Sequence, residues 1–62
     1  MMFDGPVSRS ELARGLGVDR VRIWELERSG AIPAGVRVRG NRTEFGIEAQ
    51  IAASRVVEAA RV

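Results

Sequence analysis

The run Arg37-Val38-Arg39-Gly40-Asn41-Arg42 constrains this chain more than any other stretch. Gly40-Asn41 supplies two adjacent residues at ease with φ > 0, which is what a two-residue β-hairpin loop requires. A loop of that length sets the facing pairs as Arg39 with Arg42, Val38 with Thr43, Arg37 with Glu44 and Val36 with Phe45. Side chains alternate along a strand, so Val36, Val38, Thr43 and Phe45 share one face and Arg37, Arg39, Arg42 and Glu44 the other. Glu44 neutralises Arg37, whereas Arg39 and Arg42 face each other at a tip without an acid. Like charges directly opposite are destabilising, so an anion from outside the chain is expected to compensate them, and a phosphate backbone is the natural candidate. A solvated turn kept soluble by its charge is the plainer alternative.

Two short helix patterns precede the hairpin. Met1 to Pro6 is a lead-in with a turn signal at Asp4-Gly5-Pro6. Ser8 then opens a helix over about 8–16, with Glu11 at N3 completing a capping box and Val7 and Leu12 spaced as a hydrophobic staple. Leu12, Ala13 and Leu16 form its buried stripe, and Gly17 suits a left-handed stop. Asp19 is the expected N-cap of a second helix over about 19–29, with Ile23 and Leu26 inward and Gly30 closing it. Its opposite side carries Arg20, Val21, Trp24, Glu25 and Arg28. After Ile32-Pro33 comes the hairpin over about 36–45, then an Ala-rich helix over about 46–61. The small face of that last helix (Ala49, Ala52, Ala53, Val56 and Ala60) suits close packing on the helix pair. Ile47 and Ile51 lie on another side, either packing beside Phe45 or forming an association surface. The pattern is mainly α with a small β-hairpin.

Composition narrows the function classes. Sixty-two residues make one small domain near the lower limit for unaided folding. The net charge of +2 is slight, but all of it falls in residues 31–46, where Arg37, Arg39 and Arg42 outnumber Glu44; the segments 1–16, 17–30 and 47–62 are each neutral. The field is focused, not spread. All ten basic residues are Arg, which GC-rich codon usage produces unaided, although Arg also suits bidentate phosphate contacts. With no His, Cys, Lys or Tyr, the usual catalytic bases and nucleophiles are missing, and catalysis is not expected. Nor is a cofactor, a thiolate metal site or a disulfide. No apolar run approaches membrane-spanning length and no signal-peptide core stands at the N-terminus, so the expected location is the cytoplasm, on a bacterial nucleoid or in a phage-infected cell.

The order of these pieces resembles the MerR-type winged helix-turn-helix. The resemblance spans roughly residues 7–58, and the residues that carry it are Ser8-x-x-Glu11-Leu12-Ala13, Leu16-Gly17-Val18-Asp19-Arg20, Ile23, Glu27-Arg28-x-Gly30-x-Ile32-Pro33 and Arg39-Gly40-Asn41-Arg42-x-x-Phe45. Leu26 departs from the family, which usually has an aromatic there. Trp24 stands where members often place a backbone-contacting arginine, and the last helix is shifted by about one residue. The resemblance implies a double-stranded DNA-binding domain whose second helix enters the major groove and whose hairpin, the wing, grips the backbone and minor groove. Full-length members continue into a dimerising helix and an effector-binding region beyond the point where this chain ends, so no small-molecule effector is expected. The stand-alone members it resembles are phage excisionases, which act as recombination directionality factors, and small developmental regulators of transcription.

On this reading Arg20 and Arg28 reach bases or flanking phosphates, Val21 meets a thymine methyl, and Arg37, Arg39, Asn41 and Arg42 form the wing contacts. Arg9 and Ser10, beside the first helix N-terminus, make a further phosphate contact. Trp24 either donates to a phosphate or packs on protein. The expected partners are duplex DNA, further copies of the chain on repeated sites, and an integrase or RNA polymerase. A reading from another class is a protein-interaction module, a phage or host factor in which Val21, Trp24, Ile47 and Ile51 form an adhesive surface and the arginines only keep it soluble.

Overall fold

A computed structural model describes residues 5–61. The lead-in Met1 to Asp4, with part of its expected turn, and Val62 lie outside the described residues. The element order is β1 (Val7–Ser8), α1 (Arg9–Leu16), α2 (Arg20–Ser29), β2 (Val36–Val38), a 3-10 turn (Arg39–Asn41), β3 (Arg42–Phe45) and α3 (Ile47–Ala60). Three helices thus accompany one small antiparallel sheet, and the described residues are mainly helical.

Local signals place the first two helices. The Ser8 hydroxyl accepts from the Glu11 N–H at 3.2 Å, and the Glu11 carboxylate accepts from the Ser8 N–H at 3.0 Å, so both halves of the capping box form. Gly17 ends α1 at φ 72° and Gly30 ends α2 at φ 81°, the left-handed stops that glycine adopts without strain. Asp19 occupies the N-cap of α2, but its side chain makes no capping hydrogen bond. The Arg61 guanidinium donates to the Leu16 carbonyl oxygen, so the C-cap residue of α3 supplies a partner to the C-terminal end of α1.

The hairpin differs from its expected register by one residue. The pairs are Val36 with Glu44, Arg37 with Thr43 and Val38 with Arg42, which leaves the three residues Arg39, Gly40 and Asn41 as the turn. Gly40 and Asn41 do have positive φ, 76° and 63°. A one-residue slip exchanges the two faces of a strand. Thr43 and Phe45 therefore share a face with Arg37, not with Val36 and Val38, and Val36 is exposed. Arg39 does not face Arg42, so the expected clash of like charges at the tip does not exist. The reason for the register is steric. Phe45 is fully buried and its ring lies against Gly35, where an added Cβ would be 3.1 Å from Cζ. Set one residue further along, as expected, Val36 would crowd that ring; a glycine leaves room for it.

The sheet also holds a strand that periodicity does not announce. β1 pairs antiparallel with β3, Val7 opposite Phe45 and Ser8 opposite Glu44, and the sheet order is β1-β3-β2. Val7 and Phe45 enter one core with Leu12, Ala13, Leu16, Ile23, Leu26 and Ile32. From α3 that core takes Ala49, Ala53 and Val57, with Ala52 and Val56 packed partly against it. Ala60 is exposed, so the buried stripe of α3 runs through Val57 and Gln50 in place of Ala60. Gln50 is buried and donates from Nε2 to the carbonyl oxygens of Gly5, at 2.9 Å, and Phe45, at 3.2 Å. A buried amide is tolerated because these bonds satisfy it. Ile51 is half-buried, while Ile47 is 41% exposed.

Candidate nucleic-acid interface

An open groove of about 650 Å³ runs where the N-terminal turn of α1, the outer side of α2 and the hairpin tip converge. Ser8 lines it from the end of β1, Arg9 and Ser10 from α1, Arg20, Val21 and Trp24 from α2, and Asn41, Arg42 and Thr43 from the hairpin. None of these residues is acidic. The pairing of β1 with β3 sets the hairpin beside the start of α1, and the Arg9–Glu27 ion pair ties the start of α1 to α2.

The groove has a charged and an apolar character at once. Arg20 begins α2 and Arg42 begins β3, so two exposed arginines line it from separate elements, and the positive end of the α1 dipole adds to their charge. Beside them Val21 is 64% exposed and Trp24 47%, so the groove also carries apolar surface. The field of the arginines reaches the turn itself. The Glu11 carboxyl is held below its ordinary value of 4.5 chiefly by the Ser8 N–H, then by the Ser8 hydroxyl, and the charges of Arg42 and Arg14 lower it further.

Of the residues that the sequence nominates, Arg9, Ser10, Arg20, Val21, Trp24, Asn41 and Arg42 meet in this groove. Arg28, Arg37 and Arg39 do not line it. Arg28 lies over the Trp24 ring, 4.8 Å from its centroid, so the two form an exposed cation–π pair one helical turn apart. Arg37 stands opposite Thr43 on the outer strand, and Arg39 sits in the turn.

Arg9 has an internal engagement. Its Nε and Nη2 donate to Glu27 Oε1 at 3.0 and 2.8 Å, and its guanidinium lies 5.6 Å from the Phe45 ring centroid. Glu27 Oε2 accepts from the Gly35 N–H at 3.0 Å. The side chain of Glu27 is 11% exposed and that of Arg9 31%, which makes this the most enclosed ion pair among the described residues. The other two, Arg22 with Glu25 at 3.9 Å and Arg61 with Glu58 at 3.7 Å, are exposed helix-surface pairs of small energetic weight.

Ser8 and Thr43 are groove residues that sequence reasoning missed. Ser8 is legible as a cap, and alternation sets Thr43 on the apolar face with Phe45, away from the arginines expected to meet a ligand. Among the described residues no group of three or more His, Cys, Asp or Glu side chains is placed to hold a metal ion, and no helix is long and apolar enough to cross a membrane. The chain matches no protein-family model, no curated protein and no solved structure.

Proposed function

We propose that this protein binds double-stranded DNA as a winged helix-turn-helix of the MerR type. In this reading α1 and α2 are the helix-turn-helix, α2 enters the major groove, and the β2–β3 hairpin is the wing that holds the adjacent backbone and minor groove. The observation that carries it is the acid-free groove with Arg20 on one wall and Arg42 on the other. A phosphate chain passing there meets both guanidiniums and the N-terminal turn of α1, while Val21 and Trp24 present apolar surface to base edges.

The size of the domain shapes the role. Its accessible surface is 4400 Å², and a single DNA-binding module buries roughly 600–1,000 Å². One copy therefore has little area with which to specify a long site. Action in several copies on repeated sequences follows, as an excisionase-type recombination directionality factor working with an integrase, or as a small regulator working with RNA polymerase.

The test is retention of fragmented DNA from the source genome at about 0.1 M salt, where surface charge is partly screened, followed by sequencing. Enrichment of short direct repeats beside an attachment site supports the excisionase role, and enrichment upstream of genes the regulatory one. No retention at any salt concentration overturns the DNA reading. The exposure of Val21 and Trp24 would then favour a protein-interaction module, and truncation of Trp24 would abolish its activity while reversal of the Arg42 charge would not.

A further inference from the structure

We infer that Glu27 is a positioning residue for the groove: its carboxylate fixes the hairpin against α2 through the Gly35 N–H and withdraws Arg9 from the ligand-contacting set. The inference rests on the groove being the DNA interface. One oxygen of Glu27 takes both Nε and Nη2 of Arg9, and the other takes the Gly35 N–H. The three residues belong to the first turn of α1, the last turns of α2 and the segment that leads into β2. A single, nearly enclosed side chain thus joins both helices to the hairpin.

The geometry separates two roles that the sequence alone merges. Arg9 lines the groove, so by type and place it resembles a phosphate ligand. Yet two of its nitrogens already donate to Glu27, and its guanidinium lies over Phe45. Moving it to a phosphate would leave the Glu27 carboxylate, 11% exposed, without its cation, a costly state for an enclosed charge. Among the described residues no carboxylate holds Arg20 or Arg42 in this way: both are exposed, and they line the groove from elements that Glu27 helps to hold. The carboxylate therefore sets where the hairpin arginine stands relative to the α2 arginine, without itself touching a ligand.

The experiment compares wild type, Glu27→Gln and Arg9→Ala. Amide hydrogen exchange is followed at Gly35 in the free protein, and DNA affinity is measured across a salt series. In wild type the Gly35 N–H is expected to be protected; exchange at the rate of an unstructured chain overturns the inference. In Glu27→Gln that exchange should quicken at least about tenfold, the scale of a hydrogen bond to a charged acceptor. DNA affinity should fall although the variant gains a unit of positive charge. Tighter binding with a salt slope steeper by about 1 would show Arg9 released onto a phosphate, and would overturn the inference. Should Glu27→Gln fail to fold, Arg9→Ala decides. An unchanged salt slope supports the positioning role, and a slope reduced by about 1 makes Arg9 a direct contact. The exchange measurements use no DNA, so failure of the DNA reading and failure of the Glu27 inference are told apart.

Discussion

Gly35 is packed so closely on Thr43 that a Cβ at position 35 would lie 2.2 Å from Thr43 Cγ2. This contact fixes the register of the hairpin, because the residue beside Phe45 must be one without a side chain. Gly35→Ala is therefore expected to cost about 1–3 kcal/mol, the usual range for overpacking. Urea denaturation would show it as a lowered midpoint. Thr43→Ser, which removes the offending methyl, should restore part of the loss. A Gly35→Ala protein as stable as wild type would mean that the two strands meet differently.

The capping box gives a prediction with a pH sign. Ser8→Ala should lower stability by about 0.5–2 kcal/mol through loss of the cap. Glu11 titrates below its ordinary value of 4.5 in the folded protein, first because the Ser8 N–H and hydroxyl bond its carboxylate and its turn. A depressed carboxyl pKa contributes stability above the unfolded value, and that contribution disappears as pH falls through the folded one. The stability difference between wild type and Glu11→Gln should thus be constant above about pH 5 and shrink in more acid solution. Denaturation at stepped pH values measures it, and a difference that persists at low pH would contradict the assignment.

Arg42 lines the groove and Arg39 does not. Arg42→Ala is expected to weaken DNA binding on every sequence and to reduce the salt slope by about 1, with Arg39→Ala having the smaller effect. Fluorescence titrations at three or four salt concentrations suffice. Equal slopes for Arg42→Ala and wild type would remove the hairpin from the interface.

On α2, Arg20→Ala should relax base preference more than it lowers affinity for bulk DNA. Trp24 supplies an optical report, since it is the only tryptophan and is half exposed under Arg28. Its emission should change on DNA binding and become insensitive to Arg28→Ala once DNA is bound. A uniform loss of affinity for all sequences in Arg20→Ala would place that arginine on the backbone alone.

Gln50→Leu tests the junction of sheet and α3. It would leave the carbonyl oxygens of Gly5 and Phe45 without the Nε2 donor, at an expected cost of about 1–3 kcal/mol in thermal unfolding. A gain in stability would show that water or backbone replaces the amide.

What could be read from the chain alone divides along the range of the forces involved. Ser8 caps the start of α1 and Gly30 the end of α2 because caps and left-handed stops are decided within a few residues. β1 leaves no mark in the sequence because two residues carry no periodicity; its existence depends on Phe45, far along the chain. The same distance hid the hairpin register, which Gly35 and the buried Phe45 ring settle and the turn does not. Nothing local in the sequence marks Gln50 as buried, because its burial depends on two backbone carbonyls that the fold sets beside it. In the groove, Arg20, Val21 and Trp24 were legible as one side of a helix, whereas the engagement of Arg9 needed Glu27 and Gly35 in three dimensions.

The sheet order β1-β3-β2 has one more consequence. β3 is the central strand, hydrogen-bonded on one side to the segment that starts α1 and on the other to β2. The hairpin is accordingly not a swinging arm that must be ordered when a ligand arrives. Its inner strand is part of the framework, so the backbone entropy of placing position 42 is spent during folding, while the exposed Arg42 side chain keeps its rotamer freedom until a ligand meets it. A ligand entering the groove meets a preorganised site, and the association rate should be governed by encounter and charge, with little delay for rearrangement.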